Sequence, residues 1–197
     1  MLDGLTHVNV SVGELAELCR KGDIHYRLPL HSSAQEGLAA HKLVQTSRPE
    51  FYNAEYPVEH EIVYGTYRVK VSGRLDGYMN TCDGFCIDEI KSVRLSIEDI
   101  PDFVLENFWR QAIFYAFMLA DEEGLADIRI RLCFYHLDEE KEYRLERTYI
   151  VDNLRQKFLE AIMILVDRLE RRSKWCDIRS SANSTLNFPY THFRPGQ

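Results

Sequence analysis

Between Val69 and Ser92 the chain reads VKVSGRLDGYMNTCDGFCIDEIKS, and its charges fall where strands ordinarily bury apolar side chains. Two extended segments carry it. Val69 and Val71 alternate into Gly73-Arg74-Leu75-Asp76-Gly77, and Phe85-Cys86-Ile87-Asp88-Glu89-Ile90-Lys91 follows. Asn80, Asp83 and Gly84 supply turn chemistry between them, which predicts neighbouring strands joined by a loop. Asp76 is expected at the end of the first strand, flanked by glycines. Side chains alternate along a strand, so Ile87, Glu89 and Lys91 share one face and Asp88 takes the other, structural one. A buried face does not normally accept an acid and an amine. A divalent cation held by Asp76 and Glu89 would stabilise them. A buried ion-pair network would also account for the three charges, although such networks give little net stability.

The flanking segments add helices and further strands. Ser11 with Glu14 forms a capping box for a short helix ending near Gly22. Ser33 with Glu36 forms a second, and predicts a helix from about Ala34 to Ser47 stopped by Pro49. Ala34, Leu38, His41 and Gln45 lie along one stripe of it. His41 is then on a largely apolar face, where a hydrogen-bonded core histidine is the plain reading. Glu55 to Glu61 reads as an edge strand, given Pro57 and its charges. A helix from about Asp102 to Asp121, ending before Gly124, carries two adjacent apolar stripes. Gln111 and Tyr115 sit one turn apart at their border, which ordinary boundary packing would explain. Asp127 to His136 alternates Ile128, Ile130, Leu132 and Phe134 inward with Arg129, Arg131 and Cys133 outward. Glu142 to Val151 is a weaker strand. Asp152 is expected to cap a helix to about Lys174. The basic end of that helix, Arg168 to Lys174, reads as a solvated face suited to a helix C-terminus, or as a phosphate contact. Ser180 to Thr185 is linker-like.

The 197 residues, 45% of them hydrophobic, suit one globular domain with a core and a tail. No apolar run is long enough to cross a membrane, and the start lacks the pattern of a signal peptide, so an intracellular protein is expected. The five cysteines are odd in number and scattered, which reads as reduced thiols. A net charge of −7 weighs against a nucleic-acid partner. The acids are concentrated, however, at Glu98 to Asp102, Asp121 to Glu123 and Asp138 to Glu140, so the overall charge does not exclude such a partner.

Asp76 on one strand, Glu89-Ile90-Lys91 on the next, Gln111 and Tyr115 downstream and His41 on a helix upstream together resemble the PD-(D/E)xK nuclease superfamily, its RecB-like branch in particular. The likeness spans roughly Val8 to Trp175. It implies an α/β fold with a restriction-endonuclease-like core, a central mixed β-sheet flanked by helices. It implies Mg²⁺ or Mn²⁺ held by His41, Asp76, Glu89 and the carbonyl of Ile90. Lys91 would orient and help deprotonate the attacking water, or offset developing charge, with Gln111 and Tyr115 bordering the catalytic site. Arg74, Gln45 and Arg110 are the candidate DNA contacts. Many RecB-like relatives carry a four-cysteine iron–sulfur cluster. Here only Cys176 lies near the end, and Cys82 and Cys86 lie between the core strands, so no cluster is expected.

Near the C-terminus, Phe188-Pro189-Tyr190 followed by Arg194-Pro195-Gly196-Gln197 resembles the opening of XPD/DinG-type helicases, and no phosphate loop of the G-x-x-x-x-G-K-[ST] type occurs. The expected organisation is a nuclease domain at 1–178, then a linker and the truncated start of a helicase domain at 179–197. The function implied is a metal-dependent DNA nuclease. It would be an exonuclease on single-stranded or free-ended DNA, coupled to that helicase in DNA repair or processing, in a prokaryotic cytoplasm at the nucleoid. The alternatives are a non-catalytic DNA-binding or docking module of a helicase, and an enzyme of the same core acting on RNA.

Overall fold

A computed structural model describes residues 4–19 and 33–185. The element order is β1 (Thr6–Ser11), α1 (Val12–Leu18), α2 (Ala34–Thr46), β2 (Asn53–Tyr64), β3 (Tyr67–Thr81), β4 (Gly84–Val93), a 3-10 turn (Ile97–Asp99), α3 (Asp102–Glu123), β5 (Asp127–His136), β6 (Lys141–Ile150) and α4 (Val151–Thr185). The strands form one six-stranded sheet in the order β1-β3-β4-β5-β6, with β2 on the other edge of β3. The β1–β3 and β4–β5 pairs are parallel and the rest antiparallel, so the sheet is mixed.

Local chemistry explains the element ends. Both capping boxes are present, Ser11 with Glu14 and Ser33 with Glu36. Helix α1 ends at Leu18, short of the expected Gly22, which lies outside the described residues. Helix α3 ends at Gly124, whose φ of 66° is a left-handed conformation that glycine adopts without steric cost. Pro57 is tolerated because β3 is the one strand that β2 pairs with among the described residues. The β3–β4 hairpin turns through Cys82 and Asp83, with Thr81 opposite Gly84.

Helices α1, α3 and α4 pack on one face of the sheet, over a core that includes Leu15, Leu75, Ile87, Phe114, Ile130, Phe134 and Phe158. Helix α2 covers the other face, where Val44 meets Ile90 and Cys133. Strand β5 therefore buries both faces. Arg131 and Cys133, expected to point outward, are buried, and a strand with parallel pairing covered by helices on both sides shows that burial pattern. Two further sequence expectations give way. Asp76 is inside β3, not at its end, because β2 and β4 extend the strand to Thr81. Ser180 to Thr185, expected as a linker, continue α4. The Phe188 to Gln197 motif lies outside the described residues.

Candidate active site

The β3–β4 ladder stops at Gly77 opposite Asp88, and the β1–β3 ladder stops at Ser11 opposite Ser72. Residues 73–76 of β3 thus have no strand partner on that edge. The sheet opens into a fork there, and Asp76 and Glu89 lie one position past its closed end. Opposite Asp76, Glu55 has a positive φ of 54°, and that pair is skipped in an otherwise continuous β2–β3 register. Val69, Val71 and Leu75 join the α3-side core, whereas Gly77 lies against the ring of Tyr52 and opposite Asp88. The alternation of β3 shifts phase at this irregularity, which lets Asp76 turn into the fork.

Asp76 is held from three directions. Its Oδ2 accepts the backbone N–H of Ile90 at 2.6 Å. Its Oδ1 lies 3.3 Å from Nδ1 of His41, on α2. Its carbonyl accepts the Gln45 side-chain amide at 2.9 Å, and that amide also donates to Glu55 at 2.8 Å. Burial alone would lower the His41 pKa, but the hydrogen bond and charge of Asp76 outweigh it and the net direction is upward.

Glu89 is 1% exposed. Its Oε1 accepts from Lys91 Nζ at 2.6 Å, and its Oε2 is buried with no hydrogen-bond partner. Burial, reinforced by the charge of Asp76, pushes the Glu89 carboxyl up to about 7 against the pull of Lys91. Burial disfavours the Lys91 ammonium, yet Glu89 and Asp76 together raise its pKa, so the side chain stays protonated. Lys91 Nζ also reaches Gln111 Oε1 at 3.4 Å and lies 5.2 Å from the centre of the Phe108 ring. Tyr115, one turn on, sets its hydroxyl against Gly73 of β3, and burial with the nearby Glu89 charge pushes its phenol up to about 12.

The structure thus brings together Asp76, Glu89, Ile90, Lys91, His41, Gln45, Gln111 and Tyr115. The side chains of two further sequence candidates make no hydrogen bond to this cluster. The Arg74 side chain is exposed, 4.0 Å from Glu55. Arg110 turns toward α1, contacting Asn107 at 3.3 Å and the Ala16 carbonyl at 3.5 Å. It lines a cavity of about 680 Å³ between α1, α3, β6 and α4, together with Trp109, Arg147 and Lys157 and away from the carboxylates.

Apart from Asp88, the supporting shell consists of residues that no local sequence signal marks. Asp88, fully buried behind the site, accepts from Arg48 Nε at 2.8 Å and Arg131 Nε at 2.7 Å. Arg48 also reaches Glu142 at 2.6 Å. Arg48 follows α2 directly, so it ties the His41 and Gln45 helix to the strand that carries Glu89. Two glycines admit two tyrosines. A Cβ at Gly73 would stand 2.7 Å from Tyr115 Oη, and one at Gly77 would stand 2.2 Å from Tyr52.

Among the described residues, no three His, Cys, Asp or Glu side chains converge into a group able to hold a metal ion as they stand. The donor chemistry fits a hard divalent cation in one decisive respect. Glu89 Oε2 is a buried carboxylate oxygen with nothing to accept from, beside a second carboxylate and an imidazole.

Comparison with known proteins bears on the fold. No family model matches the chain, and no curated protein does. The crystal structure of SSO0001 matches at 19% identity with a TM-score of 0.50, covering 79% of this chain and 76% of that one. The fold is restriction-endonuclease-like. The structure of Scheffersomyces stipitis Rai1 in complex with (3'-NADP)+ and calcium ion overlaps more weakly. There the identity is 11% and the TM-score 0.28, over 58% of this chain and 32% of that one, and it carries no argument. No described helix is long and apolar enough to cross a membrane.

Proposed function

We propose that this chain is a divalent-metal-dependent deoxyribonuclease of the RecB-like branch. The observation that carries the reading is the orphaned, buried Oε2 of Glu89 in a sheet fork shared with Asp76 and Lys91. Leaving a buried carboxylate oxygen unpaired costs stability, and an acid–acid–amine cluster brings a scaffold no return. Asp76 and Glu89 would hold Mg²⁺ or Mn²⁺, with His41 and the Ile90 carbonyl completing the protein ligands. When bound, the cation supplies Lewis-acid stabilisation of the phosphoryl charge and a more acidic water.

The remaining work falls to this chain's own groups. Lys91 is protonated, so it acts as a cation that offsets charge on the attacked phosphate and holds the water by hydrogen bonding, not as a base. Gln111 accepts from Lys91 and fixes its direction. Tyr115 closes the gap in β3 and limits water there. His41 and Gln45 brace Asp76 from the α2 side.

The substrate proposed is single-stranded or free-ended DNA, cut as an exonuclease. Residues 1–178 would form the nuclease domain of a nuclease–helicase in a prokaryotic cytoplasm, with α4 carrying on to Thr185 and the rest of 179–197 leading into the helicase. The reading is tested by cleavage of end-labelled single- and double-stranded DNA with Mn²⁺, Mg²⁺ or EDTA, beside Lys91→Ala. Metal-dependent cutting that Lys91→Ala abolishes supports it. Wild-type-level cutting by Lys91→Ala would remove it. One observation favours the second reading, a docking module of a helicase: the three candidate ligand side chains do not converge as they stand. Absence of cutting with every metal, with DNA still bound, would select that reading.

A further inference from the structure

We propose that the projecting end of α4 is a single-stranded DNA-binding arm. The inference rests on the nuclease reading for its substrate, and on α4 alone for its residues. Leu169 is the last α4 residue packed against the core, and 170–182 are exposed throughout. At about 1.5 Å per residue that stretch extends roughly 20 Å past the body of the domain.

Three arginines and a tryptophan of this arm gather on one face. Arg168, Arg172, Trp175 and Arg179 follow the spacing i, i+4, i+7 and i+11, which places them on one side of the helix. Arg171 stands at the border of that side and pairs with Asp167 at 2.8 Å. Glu170, Lys174 and Asp177 point to the opposite side, which is of mixed charge. Arg168, Arg172 and Arg179 make no ion pair with any described residue. A chain with a net charge of −7 therefore presents a cationic stripe on the exposed end of α4.

Trp175 decides what the stripe fits. It is 72% exposed, between Arg172 and Arg179, with Ile178 beside it at 62%. An indole left in water among arginines gains nothing for the isolated fold. Guanidinium groups complement phosphates bidentately, and an exposed indole stacks on any unpaired base. Duplex DNA keeps its bases stacked on one another, and an acidic peptide has no base to stack, so a single strand satisfies both features at once.

The test uses the whole 197-residue chain in EDTA, so that binding is read without cutting. Fluorescein-labelled oligo-dT is titrated by anisotropy, and intrinsic tryptophan emission is followed in parallel with unlabelled oligo-dT. The chain has two tryptophans, and Trp109 is 4% exposed, so quenching by DNA reports on Trp175. The expected results are quenching that Trp175→Phe abolishes, and a loss of about tenfold or more in affinity for the Arg168→Ala/Arg172→Ala/Arg179→Ala variant. That variant's dependence of log affinity on log salt should be shallower by about two. Unchanged affinity and salt slope in the triple variant would overturn the arm. So would a wild-type chain that fails to bind oligo-dT, or variants that alter sedimentation and leave DNA binding untouched, which would make the stripe a contact between copies. Cleavage measured with Mn²⁺ on the same proteins keeps the two readings apart. A chain that cuts but loses nothing in the triple variant keeps its nuclease site and loses its arm.

Discussion

The carboxylate of Asp76 accepts the backbone N–H of Ile90 at 2.6 Å, just beyond the last pair of the β3–β4 ladder. A side chain thus stands in for the missing strand partner, and it fixes the separation of the two strands that carry the site. The two roles of Asp76 can be separated. Asp76→Asn keeps an acceptor for Ile90 and removes the charge. It should unfold within about 1 kcal/mol of wild type while losing Mn²⁺ binding and cleavage. Asp76→Ala leaves a buried N–H unpaired and should cost about 1–3 kcal/mol besides. Urea unfolding with Mn²⁺ calorimetry on both variants decides it, and an Asn variant that binds Mn²⁺ as wild type does would remove Asp76 from the ligand set.

Glu89 ties stability to pH in an uncommon direction. Its folded pKa stands near 7 against an ordinary 4.5. The folded state therefore holds a proton that the unfolded state releases, and stability falls as pH rises from 4.5 through about 7. A shift of that size corresponds to up to about 3 kcal/mol. Glu89→Gln should flatten the dependence in this window. Lys91→Met removes the ammonium that opposes the shift, and should extend the decline to higher pH. Denaturant midpoints taken across the window test both, and a midpoint that rises with pH in the wild type would refute the assignment.

Much of this site was legible because it violates strand chemistry. Parity alone places Glu89 and Lys91 on one face, and the two capping boxes mark the starts of α1 and α2. Strand β1 was not legible, since its pairing with β3 is parallel and non-local. The fork was hidden for the same reason, because a register break is a property of two strands together. Arg48 carried no signal either. It reads as a charge at a helix end, and its role depends on Asp88 and Glu142, far away in sequence.

Gly77 and Tyr52 form a second testable pair. The Tyr52 ring fills the place where a Gly77 Cβ would stand, at 2.2 Å. Gly77→Ala should destabilise by about 1–3 kcal/mol or more through overpacking. Tyr52→Ala should be costly on its own, yet should rescue much of the Gly77→Ala loss, giving strong non-additivity in a double-mutant cycle. The Tyr52 hydroxyl is buried without a partner, so Tyr52→Phe should be neutral or stabilising. Additive costs in the cycle would show that Gly77 is needed for backbone conformation and not for the ring.

Behind the site, Glu142 sets the behaviour in acid. Burial would raise its pKa, but hydrogen bonds from Arg48 and Arg144 hold the carboxyl down at about 2. A depressed carboxylate contributes stability that is present above its ordinary 4.5 and is lost as pH falls toward 2. Glu142→Gln should lower stability at neutral pH and flatten the acid limb, so that the two proteins converge below the folded pKa. Arg48→Met makes the sharper case, because it deprives Asp88 and Glu142 of the same cation. Asp88 keeps Arg131, and Glu142 keeps Arg144 at the surface. The cost expected is about 3 kcal/mol, toward the lower end for a broken buried pair. Because Arg48 joins α2 to β4, its loss should also weaken Mn²⁺ binding, although Arg48 touches none of the proposed ligands. Arg48→Met destabilised but with Mn²⁺ affinity intact would show that the network holds the fold and leaves the site's geometry to Asp76 alone.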